Sequence, residues 1–192
     1  MKKITAGLMI IISAIVFSAA GSKNGNRNLN NNVKVSEKSS KNTETAQQVW
    51  NRVKPEIKAR MDKLAKAAVN GDYMANINEL PEKYLSYMAK KASMTVPEFK
   101  NSTVKLLGGI TKDVKFTKST YNLENTKIGK TSRGRNYALI PTTVTMSVKG
   151  KSIESKGKIL AFEDENRWYL VNFDKNYITS MKELYPDLME IK

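Results

Sequence analysis

The stretch EDENRWYLVNF, residues 163–173, runs from four charged or polar positions and Arg167 straight into Trp168, Tyr169, Leu170, Val171 and Phe173. In an extended chain successive side chains point to opposite faces. Tyr169, Val171 and Phe173 therefore share one face, and Trp168 and Leu170 share the other. A strand that is apolar on both sides belongs in the middle of a structure, with both faces covered or with one lining a cavity. Val171 and Phe173 read as core, because large aromatic and branched side chains mainly supply burial. Trp168 and Tyr169 combine apolar bulk with polar tips, which makes them pocket candidates.

Three more strands precede this one. VKFTKSTYNL (114–123), NYALIPTTVTMSV (136–148) and KSIESKGKILAF (151–162) are rich in Val, Ile, Thr and aromatic residues. KGKS, around Gly150, makes a tight hairpin, and EDEN makes a second between the last two strands. In the strand 136–148, Tyr137 and Leu139 fall on odd positions, whereas Val144, Met146 and Val148 fall on even ones. Pro141 lies between the two sets. That change of phase at a proline predicts a bulge or bend at Pro141, and with it a curved sheet.

The amino-terminal half has helical periodicity instead. Val49, Val53, Ile57, Met61, Leu64, Ala65 and Ala68 form one apolar stripe. Pro55 interrupts it without shifting its phase, so the stretch is one kinked helix or a short helix followed by a longer one. Asn70 and Gly71 provide a left-handed stop. Pro81 suits a second helix start, with Tyr84, Leu85 and Met88 inward. Thr95 and Glu98 form a capping box for a third helix. That helix places Phe99, Val104 (or Thr103), Leu106 and Leu107 inward and breaks at Gly108 and Gly109. The tail 178–192 reads as a final short helix capped by Ser180 and Glu183. The expected fold is α+β: a long amino-terminal helix and short helices packed on a curved antiparallel sheet of about four strands.

The chain opens with MKKITAGLMIIISAIVFSAA, which carries Lys2 and Lys3, an apolar run from Ile4 to Phe17, and the small residues Ser18 and Ala20. This is the pattern of a secretory signal peptide at 1–20 with cleavage after Ala20. An uncleaved anchor is the alternative, but the run is short for a spanning helix. FSAAGS approaches a lipobox without the cysteine that a lipid would modify, so the protein is expected not to be lipid-anchored. Residues 21–43 are polar and rich in Asn, Ser and Lys, the composition of a flexible tether. A single α+β domain then spans 44–192. The expected location is periplasmic or extracellular.

The 33 Lys and Arg against 18 Asp and Glu give a formal charge of +15; without Lys2 and Lys3 it is +13. Such an excess favours anionic partners. Export and the lack of any nucleic-acid-binding signature argue against nucleic acid. The densest basic segment of the sheet half, GKTSRGRN, offers Lys130, Arg133 and Arg135 as a binding loop. The chain has no His and no Cys. Triad and thiol chemistry are thereby excluded, along with most zinc or copper sites. No nucleotide loop or calcium loop occurs either, so no cofactor, metal or catalytic residue is expected. Asp72 and Tyr73 in NGDY read more simply as a helix stop followed by an N-cap. Glu154 reads as an exposed sheet-face residue, and the cluster Glu163, Asp164 and Glu165 as a solvated turn.

A helix ending in NGDY, short helices with LPEKYL, and strands ending in a charged turn and RWYLVNF together resemble the nuclear-transport-factor-2-like, cystatin-related superfamily, over roughly residues 45–178. The resemblance implies a cone, with a bent sheet wrapped around a helix and a cavity between. Some members are isomerases or dehydratases and many are non-catalytic modules, often dimeric through the sheet face. The expected function is an exported, non-enzymatic domain that binds an anionic or protein partner at the cell envelope. The alternatives are a small-molecule or isomerase-like pocket near Tyr73, Tyr137, Trp168 and Tyr169, and an immunity or inhibitor protein for a secreted enzyme.

Overall fold

Thr45 opens the first helix, its hydroxyl accepting from the Gln48 backbone while the Gln48 side chain accepts from the Thr45 amide. This reciprocal cap satisfies two amides that a helix start leaves orphaned. The computed structural model describes residues 44–192, so the expected signal peptide, its cleavage after Ala20 and the tether at 21–43 lie outside the described residues. Helix α1, Ala46–Asn70, is a single element with Pro55 inside it, and it ends at Gly71 with φ of 67°. Three shorter helices follow: α2, Tyr73–Ile77; α3, Glu82–Lys91; and α4, Val96–Ile110. The Thr95–Glu98 capping box forms as its residues predict.

Five antiparallel strands come next: β1, Val114–Tyr121; β2, Lys127–Lys130; β3, Asn136–Val148; β4, Lys151–Asp164; and β5, Arg167–Asn172. Their order is β1-β3-β4-β5, and β2 also pairs with β3. The sheet is strongly curled into a half-barrel. Both expected hairpins form. Lys149 and Gly150 have φ of 50° and 75°, and Glu165 and Asn166 have 52° and 63°, the pair of left-handed residues that matches strand twist in a two-residue turn. A last helix, α5, Lys175–Ser180, is capped by Asp174, and a 3₁₀ turn covers Pro186–Glu190.

Trp168 and Leu170 pack into a cluster with Val49, Trp50, Val53 and Ile57 of α1. Val171 lies on the other face, with Tyr84 and Leu85 of α3, Tyr177 and Ile178 of α5, and Tyr185. This end of the sheet is sandwiched between α1 and the other helices, so β5 is core on both sides.

The same sandwich overturns the bulge expected at Pro141. The β3–β4 register runs unbroken from Tyr137↔Phe162 to Val148↔Lys151. The even positions of β3 from Ala138 to Met146 face α1; the odd positions Tyr137 and Leu139 face the second helix layer, and later odd positions have no layer to meet. What changes at Pro141 is the cover on one face. Pro141 also sits where the neighbour of β3 changes from β1 to β2, and its carbonyl accepts from Asn122 on that side. Its missing N–H points into that gap, where no ladder bond is lost. The register irregularity lies in β1, between Phe116 and Lys118.

The expected α+β fold with a sheet of about four strands is present with one short strand more, and two further expectations are corrected. Strand β2 is an addition, four residues inside a stretch too short and lysine-rich to announce itself. Helix α4 continues through Gly108 and Gly109 to Ile110, and Leu106 is exposed, because the buried side of the helix is set by Phe99 and Leu107. Ser180 is no cap: its hydroxyl donates to the Tyr177 carbonyl and meets the Tyr84 hydroxyl, while the tail folds as the 3₁₀ turn.

Candidate functional site

The curl leaves a cavity of about 180 Å³ between the carboxyl-terminal half of α1 and the inner face of the sheet. Met61 and Leu64 come from α1, Phe116 and Tyr121 from β1, and Val144 and Met146 from β3; Phe173 also lines it. These positions follow from the strand period, since Phe116 pairs with Met146 and Tyr121 with Thr142 on the inner face. The walls are mainly apolar. Tyr73 contributes its ring, and its hydroxyl donates to Thr111 Oγ1, which in turn donates to the Leu107 carbonyl. The Tyr121 hydroxyl donates to Asp62, a carboxylate also held by Lys58 Nζ at 2.9 Å. The one carboxylate in the wall, Asp174, accepts from the Asn176 and Tyr177 amides at 3.0 Å as the cap of α5.

Of the expected pocket residues, Tyr73 reaches the cavity and the other three do not. Trp168 is in the α1-facing core. The Tyr169 ring stands 5.8 Å from that of Phe162 in the opposite core, with Arg167 over it. Tyr137 lies over its register partner Gly129, where any Cβ would come within 2.6 Å of the ring. Tyr121, Met61 and Phe173 line the cavity instead. Phe173 reads as pure core from sequence. Tyr121 carried a weak signal, an aromatic residue ending an edge strand.

The expected basic loop also divides. Arg135 turns inward, its side chain 15% exposed, with Nε 2.9 Å from Asp187 Oδ2 and Nη1 2.8 Å from Asp164 Oδ1. Asp187, whose side chain is fully buried, also accepts from Thr131 Oγ1. Burial works against the charge on Asp164, but hydrogen bonds and attraction from Lys83 and Arg135 outweigh it and hold its pKa below the ordinary value. Ser132 is tied to Glu190 through both its amide and its hydroxyl. Lys130 donates to the Glu44 carbonyl, and Arg133 points to solvent. The loop is therefore a latch on the carboxyl-terminal segment.

Basic charge gathers elsewhere. Beyond the second helix layer the outer face of the sheet is uncovered. There Lys115, Lys118, Lys156 and Lys158 stand exposed among Thr120, Thr143, Thr145 and Ser147, with Lys149 and Lys151 at the hairpin tip. Glu154 is the carboxylate among them, and it lies opposite Thr145. Among the described residues none of these six lysines is in an ion pair. The described residues also contain no cluster of carboxylates suited to a metal ion, and no helix long and apolar enough to cross a membrane.

Comparison of the chain with protein-family models, with curated proteins and with solved structures finds no match in any of the three.

Proposed function

We propose that this is an exported, non-enzymatic binding domain whose uncovered sheet face docks on a surface of anionic phospholipid headgroups. The observation that carries the reading is the set of unpaired lysines on that face, with Glu154 alone opposing them. Lysines near such a surface contribute about 1 kcal/mol each, without requiring fixed geometry. Lys supplies a compact, hydrated charge, whereas bidentate capture of one phosphate would call for Arg. The face holds Thr and Ser between its lysines, with no aromatic ring on which nucleic-acid bases would stack.

The basic character expected from composition thus finds its support on the sheet face, whereas Arg135 of the expected loop is spent on internal carboxylates. The element order and the cavity support the nuclear-transport-factor-2-like resemblance. An isomerase-like site draws less support, since Asp174 in the cavity wall serves as a helix cap.

The test is co-sedimentation of the full chain with vesicles of phosphatidylglycerol in phosphatidylcholine. Binding is expected at low salt and should weaken steeply as salt rises. Changing Lys115, Lys118, Lys156 and Lys158 to Gln should weaken it by about a hundredfold or more. Residues 1–43 are identical in both proteins, so the difference isolates the face. Equal binding of variant and parent, or equal binding to pure phosphatidylcholine, would refute the assignment.

A further inference from the structure

The cavity opens toward a cleft between the last turns of α1 and the edge strand β1. The two spaces share Ala65 and Ser119 in their walls, and Lys66 and Lys118 border the cleft. The register irregularity of β1 falls at this point, between Phe116 and Lys118. The extra residue, Thr117, lets Phe116 and Ser119 both turn inward while Lys118 remains at the rim. An apolar chamber therefore continues into a mouth with two lysines, neither of them in an ion pair among the described residues. The nearby carboxylate, Asp62, is already engaged by Lys58 and the Tyr121 hydroxyl.

We infer that this space binds a small amphipathic anion, its alkyl or aryl part in the cavity and its carboxylate or similar head at Lys66 and Lys118. A chamber of about 180 Å³ is in the range that accepts a benzene-sized group or a short alkyl chain. It is smaller than the ~300 Å³ at which pockets for larger ligands begin. The Tyr73 and Tyr121 hydroxyls of its wall already donate to protein acceptors, and the other proton-bearing side chains there, Asn76, Ser119, Thr120, Thr142 and Asn172, are neutral, apart from Lys158, whose register places it on the outer face of the sheet. Selectivity for a charged head must therefore come from the mouth. Lys118, on the edge strand, borders both this mouth and the outer face, but the inference does not rest on the docking of that face.

The test compares octanoate with 1-octanol by isothermal titration calorimetry on the full chain. Octanoate should bind more tightly, by about threefold to tenfold for two partly exposed lysines, with the advantage shrinking as salt rises. The double change Lys66→Gln and Lys118→Gln should bring octanoate down to the level of octanol. Val144→Phe, which fills the chamber, should remove binding of both while leaving vesicle docking intact; Ala68→Leu is a second filling variant should the first fail to unfold cooperatively. No binding of octanoate to the parent protein, equal binding of octanoate and octanol, or full binding by a folded chamber-filled variant would each overturn the inference.

Discussion

Arg135 Nε lies 2.9 Å from Asp187 Oδ2, a contact that joins the start of β3 to the 3₁₀ turn at the end of the chain. The same guanidinium reaches Asp164 and the Glu163 carbonyl, and its face packs on the Tyr185 ring. A cation between two buried carboxylates fixes where the tail must lie.

Removing that cation should cost far more than an ordinary surface change. Arg135→Met leaves Asp187 and Asp164 without their shared partner, and loss of one member of a buried pair costs about 3–5 kcal/mol. Denaturant unfolding of the variant should show that loss, whereas Arg133→Met should stay within about 0.5 kcal/mol of the parent. Similar values for the two variants would mean that the latch contributes little.

The response to pH follows from the same cluster. The pKa of Asp164 is depressed in the folded state below 3.8. Its contribution is therefore fully present above that ordinary value and is lost as the pH falls through the lower, folded value. With no His in the chain, nothing among its side chains titrates near neutrality at an ordinary pKa. Thermal melts should thus give a nearly constant Tm from pH 5 to 8, in roughly the range where most proteins are most stable, and a fall below about pH 4 that is shallower in Asp164→Asn. A steep change near pH 6.5 would contradict this.

Both faces of β5 should prove to be core. Trp168→Ala opens the α1-facing cluster and should cost about 3–5 kcal/mol, and Val171→Ala on the opposite face about 1–3 kcal/mol. Chemical denaturation reads both. A small effect on either side would mean that this side is solvated.

The EDEN turn can be improved. Glu165 and Asn166 both hold left-handed backbone, a conformation that costs a residue with a Cβ about 1–2 kcal/mol outside Gly, Asn and Asp. Glu165→Asn should raise stability by about 0.5–1 kcal/mol and increase Tm, because the ion pair it gives up with Lys83 is exposed and long at 3.4 Å. An unchanged or lower Tm would show that this pair matters more than the backbone does.

Local rules acted alone in several places, and there the sequence was enough. Gly71, the Thr95–Glu98 box, the two hairpins and the two-sided apolar run of β5 each depend on residues within a few positions of one another. Asp72 as an N-cap and Glu154 as an exposed sheet residue were legible for the same reason. The α+β class followed from the change of hydrophobic period near Asp113. Composition stated the excess of positive charge without stating where it would collect.

What only the tertiary structure decided was partnership over distance. Arg135 looks like a surface cation until Asp164 and Asp187, 29 and 52 positions away, are brought to it. Pro141 looks like a bulge until a helix layer is seen to end beside it. Trp168 looks like the mouth of a pocket until α1 is laid against its face, and Phe173 looks like filling until the curl of the sheet leaves space next to it. Side-chain type and period set which residues seek burial. Which neighbours satisfy them, and which lysines are left with none, depends on where the curled sheet places chain segments that lie far apart in sequence.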